Sequence, residues 1–83
     1  MKWIKIKNRK FLETWQARDC KGFCYLIMKS PFPEHKEKPY YFHIIKHDFM
    51  YSSSEDKEMF DTFENAELYI EQWRSLYIMK NKT

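Results

Sequence analysis

The segment Asp61–Lys80, DTFENAELYIEQWRSLYIMK, decides the fold. Its apolar residues recur at Phe63, Ala66, Tyr69, Ile70, Trp73, Leu76 and Tyr77, the spacing of one face of an α-helix. Glu64, Glu67, Glu71, Gln72, Arg74 and Ser75 fall mostly on the opposite side. Asp61 stands where an N-cap is expected, with Glu64 three residues later as in a capping box. Acidic residues fill the first turns and Arg74, Lys80 and Lys82 the last, which suits the helix dipole. The aromatic stripe of such a helix needs a sheet to cover it.

Upstream of the helix the periodicity is that of strands. Trp3–Lys7 alternates, with Ile4 and Ile6 on one side and Lys5 and Lys7 on the other, as a short half-buried or edge strand does. Phe11–Arg18 alternates as well, placing Phe11, Glu13, Trp15 and Ala17 together. Asp19-Cys20-Lys21-Gly22 holds the only glycine, where a hairpin requires a positive φ. Phe23–Lys29 is apolar on both parities and is expected at the centre of the sheet. Ser30–Pro39 contains all three prolines and reads as a loop. Tyr40–Tyr51 reads as one further strand that bends near Asp48, and Ser52–Glu58 as a polar turn. The expected architecture is a single α+β domain over residues 1–83: a three- or four-stranded antiparallel sheet with one C-terminal amphipathic helix packed on one face.

At 83 residues the chain buries only roughly 60–65% of its unfolded surface, so stability rests on large side chains. It has three Trp, six Tyr and seven Phe, and each buried ring withdraws about 150–250 Å² from water. A single glycine argues against a phosphate-cradling loop. No apolar run has bilayer-spanning length, and MKWIKIKNRK lacks the apolar core of a signal peptide. A cytoplasmic protein with reduced cysteines is expected.

Charge is distributed unevenly. Glu55, Asp56, Glu58, Asp61, Glu64, Glu67 and Glu71 face only Lys57 within their segment, a net of −6. The remainder carries fourteen Lys/Arg against five acids, a net of +9, with Lys2, Lys5, Lys7, Arg9 and Lys10 in the first ten residues. Either pole is a candidate docking surface.

Cys20-x3-Cys24 and His43-x3-His47 are the only metal-like spacings, and the latter pair shares a strand face in this reading. A structural zinc needs four converging ligands, and a cysteine nucleophile needs a base and an oxyanion site. The sequence shows neither set, so no metal, no cofactor and no catalysis are expected. The acidic residues Glu55, Asp56, Glu58, Asp61 and Glu64 are the candidate surface for a protein partner; a homodimer is the simplest partner of all. The alternative is single-stranded nucleic acid bound by Lys5, Lys7, Arg9, Lys10, Trp15 and Arg18, with Tyr25, Tyr40, Tyr41, Phe42 and Lys29 extending the platform.

The helix start Phe60-x-Thr62-x-Glu64-x-Ala66, within FDTFENAELYIEQW, resembles that of small phage and mobile-element accessory proteins built as a β-meander closed by a helix. That group includes anti-CRISPR and other anti-defence inhibitors. The resemblance implies a non-enzymatic inhibitor that occludes a host or defence (CRISPR-like) nucleoprotein. It carries over no functional residue.

Overall fold

The computed structural model describes residues 2–6, 12–55 and 57–80. Five strands form one antiparallel sheet in sequence order: β1 (Ile4–Ile6), β2 (Glu13–Arg18), β3 (Cys24–Lys29), β4 (Tyr40–Lys46) and β5 (Phe49–Ser53). The helix α1 (Phe63–Lys80) lies across the face of β3 and β4. The α+β class and antiparallel order agree with the sequence reading; the strand count exceeds it by at least one.

The additional strand comes from Tyr40–Tyr51. This stretch is not a single bent strand but a hairpin, β4 and β5, folded at His47 and Asp48 with φ of 51° and 62°. A two-residue hairpin turn of type I′ requires positive φ at both positions. Glycine is absent, and His and Asp are among the few other residues that tolerate this region. The polar segment after it is therefore partly strand, since β5 includes Ser52 and Ser53. Exchanging His47-Asp48 for Asn-Gly is expected to raise stability by about 1 kcal/mol, read as a higher midpoint of thermal unfolding.

Register assigns the faces. Trp15, Ile27 and Phe42 stand opposite one another, as do Ala17, Tyr25 and Ile44, and these two rows meet the helix. Ala66 and Ile70 are fully buried against them, and Phe63, Trp73 and Tyr77 complete the helical contact. The core is thus an aromatic layer between sheet and helix. Phe63 meets Trp3 and Trp15 edge-on at 5.5 and 5.3 Å, and Phe23 meets Trp73 and Tyr77 at 5.5 and 5.1 Å.

β1 alternates and lies at the sheet edge as expected; the side that meets the helix is the one that carries Lys5, opposite Trp15, and Ile4 is 64% exposed on the other. Trp3 overrides the isoleucines because its ring reaches Phe63 and its indole N–H donates to Glu67. The helix is capped by Thr62, whose Oγ1 accepts the Asn65 N–H at 3.1 Å; Asp61 instead accepts from the Asn65 side chain at 2.7 Å. Glu64 therefore occupies the second helical position, where it cannot close a capping box. Leu76, on the expected inward face, is 67% exposed: Phe63, Ala66, Ile70, Trp73 and Tyr77 meet the core, and Leu76 lies on the flank beside them.

Candidate functional site

The acidic segment is fixed to the sheet by its backbone. Ser54 is buried; its N–H donates to the Phe42 carbonyl at 3.1 Å and its Oγ accepts the Phe42 N–H at 2.8 Å. Its carbonyl then accepts the N–H groups of Lys57 and Glu58 at 3.1 and 3.0 Å, closing a turn that leaves Glu55 and Glu58 exposed. Phe60 returns to the sheet as a bridge to Tyr40, and the helix begins three residues later. Anchored in this way, Glu55, Glu58, Asp61 and Glu64 all lie exposed at the end of the sheet where β4 starts. Asp56 lies outside the described residues.

The four are not on one face. Glu55 lies on the side of the sheet away from the helix, 3.2 Å from His43 Nε2. Asp61 and Glu64 belong to the helix start, on the other layer. The Asn65 amide holds the Asp61 carboxyl below the usual carboxylate range. The proline loop adds residues that the sequence did not connect with this end. Ser30 accepts the Phe32 N–H at 3.3 Å and meets His35 Nδ1 at 2.7 Å, which curls the loop back. Glu34, Glu37 and Lys38 then share a shallow depression with Lys57, Glu58 and Met59. Their sequence distance from Glu58 hid this; the Tyr40–Phe60 bridge joins the two segments.

The basic candidates are dispersed. Lys7, Arg9 and Lys10 lie outside the described residues. Lys5 is paired with Glu13 at 3.1 Å and stands 5.5 Å from the Trp15 ring centre. Trp15 itself is packed under the helix against Tyr40 and Phe63. Arg18 is exposed at the far end of β2 and points to the opposite face from Trp15. Of the rings considered for base stacking, Tyr25 and Phe42 are 1% exposed beneath the helix, and Tyr41 is 8% exposed on the other face. Trp15, Tyr25, Tyr40 and Phe42 thus serve the core beneath the helix.

The metal-like spacings do not assemble. His47 is in the β4–β5 turn and not on a strand with His43, while Cys20 and Cys24 are free thiols. Among the described residues no group of three or more His, Cys, Asp or Glu is placed to hold a metal ion. No described helix is long and apolar enough to cross a membrane.

A half-buried polar cluster was not foreseen. Asp19 Oδ1 accepts the N–H groups of Lys21 and Phe23 at 2.9 and 3.1 Å, while its Oδ2 accepts the Tyr25 hydroxyl and lies 3.8 Å from Arg74 Nε. Burial raises the Asp19 pKa, but these donors and Arg74 outweigh it and leave the carboxyl below its ordinary value. The same burial, with the Asp19 bond and charge, pushes the Tyr25 hydroxyl well above its usual range. Beside the cluster is a hollow of about 120 Å³ between Phe23, Trp73, Tyr77 and Ile78. Its polar groups are largely committed to one another, and their evident work is to tie the β2–β3 hairpin to the helix.

Comparison with known protein families, with curated proteins and with solved structures found no match.

Proposed function

We propose that the chain is a cytoplasmic, non-catalytic binding module that occludes a basic groove on a protein partner, as a stoichiometric inhibitor of a host or defence nucleoprotein would. The observation that supports this reading is the exposure of Glu55, Glu58, Asp61 and Glu64 at one end of the sheet, on a backbone held by Ser54 and Phe60. A preformed backbone lowers the ordering cost of binding. Carboxylates spread over two layers suit a concave basic surface that wraps the end of the domain. Long-range attraction then speeds encounter, and opposed like charge rejects wrong partners.

The test is charge alteration at that end. Glu58→Lys with Glu64→Gln is expected to weaken partner binding about 100-fold, equivalent to about 2.7 kcal/mol. Exposed substitutions of this kind shift stability by about 0.5 kcal/mol or less, so the unfolding midpoint stays in place. Arg18→Glu with Lys21→Glu, at the opposite end, is expected to leave affinity within about threefold, since distant rim charges act weakly. Equal loss from both pairs, or none from the first, refutes this assignment of the surface.

A further inference from the structure

The strand β5 is an edge of the sheet, and it is an apolar one: Phe49 is 62%, Met50 44% and Tyr51 43% exposed. Edge strands are ordinarily protected by charge, proline, brevity or a bulge, because their free N–H and C=O groups template pairing with another strand. Phe49–Ser53 contains neither charge nor proline; its one irregularity is a bulge at Tyr51, between the Ile45–Met50 and Ile44–Ser52 pairs. The helix does not shield it, since α1 covers β3 and β4. A shelf results, with β5 as its floor and the flank of the helix as its wall. Tyr69 marks that flank, its ring against Phe42 and Phe60, and Leu76 follows on the same flank seven residues later, 67% exposed.

We propose that a second copy of this chain occupies the shelf, with the two β5 strands paired antiparallel about a two-fold axis into one continuous ten-stranded sheet. Two features favour a second copy over another partner. The first is charge along the strand. The head of β5 adjoins Lys46 and Asp48, with Lys80 on the helix end beyond Tyr77, whose ring meets Tyr51; its tail leads to Glu55 and Glu58, with Lys57 between them. A two-fold axis lays head against tail, so the gradient complements itself.

The second feature is the match of faces. Phe49 pairs with Lys46 on the helix side, and Tyr51 points there too, with its ring 5.2 Å from Phe23. Met50 pairs with Ile45 on the opposite side. The register that keeps like faces together sets Phe49 of each copy against Tyr51 of the other and Met50 against its twin. Cross-strand aromatic pairs of this kind are favourable in antiparallel sheets. The tail of β5 adjoins Glu55 and Glu58, so the two readings are told apart by variants of Phe49 and Met50, which leave Glu55, Glu58, Asp61 and Glu64 in place.

The experiment is sedimentation equilibrium of the full chain from about 1 to 300 μM, a range that spans the affinities of ordinary dimers, together with the Phe49→Glu and Met50→Lys variants. Wild type is expected to be dimeric in the upper part of that range, with an unfolding midpoint that rises with concentration. Each variant is expected to weaken dimerisation at least tenfold while keeping the circular dichroism of the fold. Both side chains are largely exposed, which protects the monomer. A Met50→Cys chain with Cys20→Ser and Cys24→Ser is expected to cross-link to itself under mild oxidation. A wild type that stays monomeric throughout, a dimer that survives both variants, or a monomer that uses β5 to bind a different protein overturns the proposal.

Discussion

Phe23→Ala is expected to cost about 3–5 kcal/mol, as truncation of a fully buried ring does. Phe23 is 2% exposed and contacts the rings of Tyr25, Tyr51, Trp73 and Tyr77 at centroid distances of 5.1–6.2 Å, with Lys46 Nζ 4.9 Å from its centre. It therefore joins the β2–β3 hairpin, the β5 edge and the last turns of the helix in one contact group. A domain of this length has a total stability of about 4–12 kcal/mol, so one substitution removes a large share of it. The unfolding midpoint is expected to fall by roughly 15–25 °C. Phe49→Ala is the control: that ring is 62% exposed, and its removal from the monomer should shift the midpoint little. A Phe23→Ala protein that melts within a few degrees of wild type contradicts the packing described.

The second large effect is expected at Asp19. Its carboxylate satisfies two backbone N–H groups and the Tyr25 hydroxyl, beside Arg74. Asp19→Ala leaves the Phe23 N–H and the Tyr25 hydroxyl without this acceptor in a half-buried place, at a cost of about 2–4 kcal/mol, while the exposed Lys21 N–H turns to water. The pH dependence follows from the direction of the shift. A carboxyl held below its unfolded pKa of about 3.9 contributes stability that is complete above that value. The contribution is lost as pH falls through the lower folded value. Wild type is therefore expected to lose stability below about pH 4, measured by urea unfolding at a series of pH values. In Asp19→Asn this part of the acid slope should disappear. Asp61 is also held low by Asn65, so Asp61→Asn is expected to remove a further part of the acid slope. An unchanged acid slope in Asp19→Asn would count against the cluster.

The parts of this fold that were legible in the sequence are those in which side-chain period and burial agree. The helix, the β2–β3 hairpin at Gly22 and the central position of β3 follow from that agreement. β5 was hidden because its turn uses His47 and Asp48 in place of glycine, so the chain reads as one strand across it. Which side of β1 meets the helix was not legible, because a single long-range contact, Trp3 to Phe63 and Glu67, outweighs two isoleucines. The acidic end was visible as a charge run, but the contribution of Glu34 and Glu37 was not, since it depends on the Tyr40–Phe60 bridge. Asp19 presented itself as a turn residue; that it meets an arginine fifty-five positions away is decided by the helix crossing and by no local pattern.

The most direct test of the proposed function is retention of a partner by the immobilised full-length chain from host lysate, with and without nuclease, in parallel with the Glu58→Lys, Glu64→Gln variant. One protein retained in stoichiometric amount by wild type after nuclease treatment, and released by the variant, is the predicted result. Retention that vanishes with nuclease, or that the variant preserves undiminished, contradicts it.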